Sequence, residues 1–272
     1  MPTASVVQKI AHLVATQCQA AQTKLPSDFM TYSHYERVVY GLDWDSSPGY
    51  PYILQYSNNK AMFLTREGEP DKERLQLFWS LVCQRLVDRD FDPVRLFIKP
   101  EPHTLKKIKE GRYRLISSVS VIDQIIDCMI FGDQNQGFVQ NHIYTPVKTG
   151  WSWFKAGWRS IPKTGMVACD KSRWDWTVTS WMIEIELEVR RKLILGSQAQ
   201  LDYWNELALW RYKCLYNDCV FVTSGGLQFS VTQPGIMKSG SVNTIVSNSL
   251  FQLILHVRAS LELNLPITRI ST

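Results

Sequence analysis

The stretch KSGSVNTIVSNSLFQLILHV, residues 238–257, constrains the fold more strongly than any other part of the sequence. From Val242 onward it is apolar on nearly every side of a helix, and such a helix has to be buried. Four polar side chains recur along it at spacings of three or four residues: Ser241, Thr244, Asn248 and Gln252. They form one line on the helix. Because buried hydroxyls and amides need partners, this line is predicted to face a ligand or an internal hydrogen-bond network.

Helical and strand-like patterns are mixed along the chain without a regular β-α-β alternation. Helical periodicity is clearest over four segments, 4–21, 70–88, 121–138 and 240–262. Strand-like runs cover 94–98, 113–119 and 165–169, and the pattern over 219–231 is typical of a hairpin that turns at Ser224-Gly225-Gly226. This mixture favours an α+β fold over a doubly wound sheet.

Composition excludes several classes of protein. With 272 residues, 45% of them hydrophobic, the chain can bury a substantial core and is not disordered. Six scattered cysteines without a C-x-x-C pair indicate neither a zinc site nor a disulfide framework, so reduced thiols in a cytosolic setting are expected. The N-terminus lacks the apolar region of a signal peptide. No apolar run reaches the roughly 18 residues of a transmembrane segment.

Positive charge is concentrated in one segment, residues 95–114, although the formal net charge of +5 is mild. Seven of its residues are Arg or Lys and two are acidic, which indicates a nearby polyanion or triphosphate. Arg112 and Arg114 alternate, so in an extended strand both would point to the same side and could bind phosphate oxygens. A solvated basic loop is the alternative interpretation.

A turn rich in small residues, at 45–52, places Ser47, Gly49 and Pro51 at alternate positions. Gly and Pro fix a tight turn with little side-chain bulk, past which a nucleic-acid strand could lie closely. An ordinary surface turn explains the same pattern.

Two acids flank a short polar stretch in MVACDKSRWDW, residues 166–176. Asp170 ends an apolar run that is predicted to be a buried strand, and Asp175 lies between two tryptophans. A carboxylate beside apolar surface is costly to ionise without a cation or hydrogen bonds, so a metal site is one interpretation. The other is a helix start, since acids favour the first turn. A helix is predicted to follow, with apolar side chains four apart at Trp181, Ile185, Val189 and Leu193.

Taken together, residues 44–272 resemble viral RNA-dependent RNA polymerases, because four patterns occur in the order of that family's motifs. The matching residues are Asp170 and Asp175 for motif A; Ser239, Gly240, Thr244 and Asn248 for motif B; Lys99, Glu101, Arg112 and Arg114 for motif F; and Ser47, Gly49 and Pro51 for motif G. The sequence around motifs F and B is most similar to sobemovirus- and luteovirus-like plus-strand viruses.

The resemblance implies a right-hand polymerase with fingers and a partial palm, and without a thumb. It divides the chain into an N-terminal region with fingers (1–164), a first palm part with motif A (165–195), a fingers insertion with the hairpin (196–229) and a second palm part with motif B (230–272). The implied reaction joins nucleoside triphosphates (NTPs) to the 3′ end of an RNA, in the replication of a viral genome in the host-cell cytoplasm.

The resemblance also implies the role of each site residue. Asp170, helped by the carbonyl of Lys171, would hold two Mg²⁺ or Mn²⁺ ions. Asp175, Thr244 and Asn248 would recognise the ribose, and Lys99, Arg112 and Arg114 would bind the triphosphate. Template and product RNA would contact Ser47, Gly49, Pro51, Ser239 and Gly240.

One motif of the family is missing from the sequence. The Gly-Asp-Asp turn of motif C should follow motif B, but the nearest match, Gly132-Asp133-Gln134, precedes motif A. We therefore expect an incomplete polymerase that is poorly active alone. A non-catalytic RNA-binding accessory protein of replication is the alternative, and a reverse transcriptase is a third option that the features of motif B disfavour.

Overall fold

The computed structural model describes residues 2–154, 156–160, 164–165, 167–268 and 270–272. Within them the helices are α1 (Ala4–Gln17), α2 (Tyr32–Tyr40), α3 (Asn59–Phe63), α4 (Lys72–Asp88), α5 (Leu105–Lys109), α6 (Val121–Gln140), α7 (Trp174–Thr177), α8 (Ser180–Leu193), α9 (Gln198–Tyr216) and α10 (Thr244–Glu262). The strands are β1 (Thr23–Lys24), β2 (Val94–Ile98), β3 (Leu115–Ser118), β4 (Ile194–Leu195), β5 (Val220–Thr223) and β6 (Gln228–Ser230). The α+β prediction is confirmed.

Three long helices, α4, α6 and α9, begin at a side chain that caps the helix. Asp71 accepts a hydrogen bond from the backbone of Arg74 at the start of α4, and Ser120 does so from Asp123 at the start of α6. α9 begins with a full capping box between Ser197 and Gln200. The four predicted helices lie within a few residues of the observed ones.

Four strands form the main sheet, in the order β3-β2-β5-β6. β2 pairs antiparallel with β3, from Arg95 opposite Ser118 to Ile98 opposite Leu115. β5 lies parallel to β2 and antiparallel to β6, so the predicted hairpin is confirmed. β3 is shorter than predicted. Arg114 precedes it but still accepts a backbone hydrogen bond of 2.8 Å from Lys99.

The core is built around α10, which packs with α1 and α8. Its buried face includes Leu250, Phe251 and Ile254, all fully buried, as an almost wholly apolar helix requires. One side of α10 is open, however, since Ile245 is 67% exposed.

No helix in the described part of the chain has the length and apolarity to cross a membrane. The six cysteines form no disulfide.

A buried arginine joins α8 to α6 and α10 in the interior of the protein. Arg190 of α8 donates hydrogen bonds to Gln134 and Asn135 of α6 and to Ser247 of α10, and it pairs with Glu186. The guanidinium therefore fixes three helices at one point, since each partner is itself buried or half-buried.

A second buried arginine joins α9 to α6. Arg211 pairs with Asp123 at 2.8 Å and with Asp127 at 2.6 Å, and all three side chains are fully buried. Burial raises the pKa of Asp127, and Arg211 opposes that rise.

The predicted strand at 165–169 is wrong in its described part. Met166 lies outside the described residues, but 167–169 adopt no strand, and Val167 is 87% exposed. A strand needs a neighbour that accepts and donates its backbone hydrogen bonds. Nothing in the described residues pairs with this run, so its apolar character alone does not make it a buried strand.

We predict that Arg211→Ala lowers the free energy of unfolding by about 3–5 kcal/mol, because it leaves the buried Asp127 carboxylate without a cation and Asp123 with Arg85 alone, at 3.4 Å. Urea denaturation measures the change. The matched control is Lys213→Ala, which breaks an exposed pair with Asp218 and should cost less than about 1 kcal/mol. Equal effects of the two changes would contradict this role of Arg211.

Candidate active-site cleft

The end of β3 holds the turn that precedes α10. The backbone amide of Ser239 donates to the hydroxyl of Ser117 at 2.8 Å, and the amide of Ser117 donates back to the hydroxyl of Ser239 at 3.1 Å. The amide of Gly240 donates to the carbonyl of Ser117 at 2.9 Å. A Cβ at Gly240 would lie 2.4 Å from that carbonyl oxygen, so only glycine fits. α10 therefore begins at Thr244 and not at 240.

The 45–52 turn docks on the same segment from another side. The amide of Val121 donates to the carbonyl of Pro48 at 2.8 Å. Gly49 is buried at φ +70°, and a Cβ there would lie 2.7 Å from the carbonyl of Val119. The small residue is thus required by backbone packing, whereas Ser47 and Pro51 on either side are half-buried.

The segment that carries Asp175 also contacts the segment just before α10 directly. The amide of Met237 donates to the carbonyl of Asp175 at 2.9 Å, and the amide of Ile236 donates to Val178 at 3.1 Å. These backbone contacts hold Asp175, in the first turn of α7, beside the turn that leads to α10.

The polar line on α10 mostly makes hydrogen bonds within the protein, partly at the surface, as in the network that was one of the two predicted alternatives. Asn248 accepts a 2.8 Å hydrogen bond from the indole of Trp174, and Gln252 accepts one from Lys171. The Lys171 ammonium lies 5.1 Å from the centre of the Trp174 ring. The hydroxyl of Thr244 donates to the backbone of its own turn, at Lys238 and Ser241.

A cleft of about 910 Å³ opens between the sheet, α7 and the 230–239 segment. Its polar lining includes Lys99, Arg114, Asp175 and Ser239. Lys99 and Arg114 share Glu101 as a partner, at 2.9 and 3.4 Å. Both cations stay partly exposed, so they are available to a phosphate group in the cleft.

Burial raises the pKa of the Asp175 carboxyl, and the positive charge of Arg114 partly opposes this. The acid therefore sits in a partly desolvated place opposite a guanidinium. Such a site suits a ligand that brings hydroxyl donors to the carboxylate and negative charge to the arginine.

The cleft does not include every predicted site residue. Arg112 precedes β3, pairs with Glu110 and does not line it. Asn248 is bonded to Trp174, which does line the cleft, but neither Asn248 nor Thr244 lines it. The remaining predicted residues that do not line it are Ser47, Gly49, Pro51, Asp170, Lys171 and Gly240.

Asp170 is exposed and lies in an irregular stretch, not at the end of a buried strand as predicted. Among the described residues, no three His, Cys, Asp or Glu side chains gather into a set that could hold a metal ion. Asp170 therefore belongs to no such set among the described residues.

Of two positioning residues beside the cleft, Lys238 was not predicted, and Trp174 was expected only to pack and fix its turn. Trp174 connects motif A to α10, and Lys238 is fully buried with its ammonium bound to the carbonyls of Gly235 and Ile236 at 2.9 and 3.0 Å. Burial lowers the pKa of Lys238 to about 8. The only sequence signal for a positioning role of Lys238 is its place directly before Ser239-Gly240. Nothing in the sequence indicates that Lys238 is buried.

We predict that Gly240→Ala destabilises the chain by about 1–3 kcal/mol, because the added methyl group collides with the Ser117 carbonyl. Thermal or urea unfolding measures this change. Gly225→Ala is the control, since its nearest neighbour would be 3.9 Å from the new Cβ. If Gly240→Ala is as stable as Gly225→Ala, the turn does not depend on this close approach.

Comparisons with known proteins agree with the geometry. The family described as viral RNA-dependent RNA polymerase matches residues 10–264. Protein P1-P2 of Pea enation mosaic virus-1 is 34% identical, over 80% of this chain and 21% of that protein. Replicase polyprotein P2AB of Southern bean mosaic virus is 36% identical, over 75% and 23%. The RNA-directed RNA polymerase of Mushroom bacilliform virus is 31% identical, over 80% and 56%.

A solved structure supports the fold independently. The Sicinivirus 3Dpol RNA-dependent RNA polymerase superposes with a TM-score of 0.69 at 18% identity, covering 96% of this chain and 54% of that one. The chain spans about a fifth of the replicase proteins of Pea enation mosaic virus-1 and Southern bean mosaic virus. The resemblance found in the sequence is confirmed: the chain belongs to the viral RNA-dependent RNA polymerase family.

Proposed function

We propose that this chain forms the nucleotide-binding part of a polymerase that copies RNA during viral genome replication. The observation that carries the proposal is one cleft lined by two cations, Lys99 and Arg114, and by the carboxylate of Asp175. In the proposed reaction, the 3′-hydroxyl of the growing RNA attacks the α-phosphate of an NTP, and pyrophosphate leaves.

Binding of the triphosphate is assigned to the two cations of the cleft. Lys99 and Arg114 already share Glu101, so an incoming phosphate would replace or join one carboxylate among the cations. Arg112 is retained as a third phosphate ligand, although its present partner is Glu110.

Recognition of the ribose is assigned to Asp175, with Thr244 and Asn248 behind it. The carboxylate of Asp175 can accept a hydrogen bond from a sugar hydroxyl, and a 2′-deoxy sugar would leave it less well paired. Asn248 acts through its 2.8 Å bond to Trp174, which fixes the turn that carries Asp175.

In the proposal, this chain supplies only part of the site that binds the divalent ions. Mg²⁺ or Mn²⁺, as a pair of ions, would activate the attacking hydroxyl and stabilise the leaving pyrophosphate. Asp170 and the carbonyl of Lys171 are the proposed contributions of this chain. The described residues do not complete such a site, so further ligands would have to come from elsewhere.

The path of RNA is proposed along the small-residue turns. Ser47, Gly49 and Pro51 would lie beside the template, and Ser239 and Gly240 beside the nucleotide being copied.

We assign 1–164 and 196–229 to fingers and 165–195 and 230–272 to palm, with no segment assigned to a thumb. The setting is a replication complex in the host cytoplasm.

Arg114 offers a direct test of the cleft. We predict that Arg114→Ala weakens ATP binding about tenfold, because a charge-assisted contact to phosphate is lost. Arg66→Ala is the matched control, because it makes the same charge change at an exposed residue outside the cleft. Quenching of tryptophan fluorescence gives both dissociation constants. Equal affinity for Arg114→Ala and wild type would refute the phosphate site.

We also predict that the 272-residue chain binds NTPs but incorporates none into a primed RNA template in Mg²⁺ or Mn²⁺. The reason is that the described residues do not form a complete metal site. A non-catalytic RNA-binding accessory role is favoured by the same observation, and it predicts RNA binding without specific NTP binding. Metal-dependent synthesis that Asp170→Ala abolishes would overturn the predicted inactivity.

A further inference from the structure

An aromatic loop, residues 150–159, lies outside the cleft and has no part in the function proposed above. Three of its large side chains face solvent: Trp153 is 56% exposed, Phe154 96% and Trp158 48%. None of them lines the cleft. Exposing so much aromatic surface in one short loop is unfavourable unless something binds there.

The loop is built to hold these rings outward. Trp151 is half-buried at its centre, donates its indole N–H to the carbonyl of Gly157 at 3.2 Å, and meets the ring of Trp153 edge-on at 5.9 Å. A Cβ at Gly157 would lie 2.7 Å from the Trp151 indole nitrogen, so the chain folds tightly over that ring. The exposed rings are therefore presented by a packed centre.

The base of the loop is attached to the body of the protein. Gly150 has φ +93°, and a Cβ there would lie 2.8 Å from the side chain of Val139 at the end of α6. Just before it, the amide of Lys148 donates to the carbonyl of Thr272 at 2.8 Å, and the amide of Thr272 donates to Pro146 at 3.0 Å.

The charge around the loop has one sign. Residues 134–169 contain no Asp or Glu, and their Lys and Arg residues are Lys148, Lys155, Arg159 and Lys163. The guanidinium of Arg159 lies 5.3 Å from the centre of the Trp158 ring. Flat rings interleaved with cations, without a neighbouring acid in the sequence, match a chain of stacked bases joined by phosphates.

We propose that this aromatic loop binds single-stranded RNA, with unpaired bases stacked on Trp153, Phe154 and Trp158 and phosphates paired with Arg159. The proposal rests on the proposed function only in choosing RNA as the polyanion. A lipid surface fits less well, because the described part of the loop consists of turns and a short 3₁₀ segment, whereas surface-bound segments are typically amphipathic helices.

The test uses the full 272-residue chain and a fluorescent single-stranded RNA of about 12 nucleotides, within the range that such sites cover. The variant Trp153→Leu/Phe154→Leu/Trp158→Leu keeps apolar surface but removes the flat rings. We expect it to weaken RNA binding, measured by fluorescence anisotropy, by at least about tenfold. Its circular dichroism should equal that of the wild type, since all three side chains are exposed.

Three controls separate the alternatives. Tyr40→Leu changes an exposed aromatic residue on α2 and should leave RNA binding unchanged. Duplex RNA should compete poorly, because its bases are already stacked. ATP binding should be the same in the loop variant and the wild type, so a failure of the cleft proposal would show up separately.

The proposal is overturned if the leucine variant binds single-stranded RNA as well as the wild type. It is also overturned if duplex RNA competes equally. A third contrary result is loss of binding to phosphatidylserine-phosphatidylcholine vesicles with unchanged RNA affinity, which would assign the loop to a membrane surface.

Discussion

The geometry of the cleft depends on how closely two distant backbone segments approach the end of β3. Gly240 packs on the carbonyl of Ser117, and Gly49 packs on that of Val119. Neither position can accept a Cβ without moving the backbone. Three parts of the chain that are far apart in sequence are thus fixed around one short segment. Arg114, just before β3, lines the same cleft as Asp175.

Polar groups inside the molecule extend this arrangement into the helices. Asn248 and Gln252 hold Trp174 and Lys171, so α10 sets the position of the loop that carries both acids. Beneath them, Arg190 joins α10 to α6 and α8. A buried guanidinium with every partner satisfied favours one relative position of three helices, since a shift would leave charge unpaired in the core. Binding residues at the surface are therefore supported by a polar network in the interior.

Local signals in the sequence predicted much of the fold. Periodicity and capping residues give α4 and α6 almost to their ends, because a helix satisfies its own backbone. Strands are less predictable, since their partners are distant: β3 is shorter than expected, and 167–169 form no strand. Side-chain contacts were the least predictable. The polar line on α10 indicated a network, but its partner Trp174 and the burial of Lys238 depend on tertiary packing.

In the function proposed here, the cleft would bind a ribonucleoside triphosphate in one orientation, with its phosphates at Lys99 and Arg114 and its sugar at Asp175. Comparing the dissociation constants of ATP and 2′-deoxy-ATP for the wild type and for Asp175→Asn tests this orientation most directly. We expect the wild type to prefer ATP, and Asp175→Asn to lose most of this preference while still binding the phosphates. An unchanged preference in Asp175→Asn would contradict the assignment of the sugar to this carboxylate.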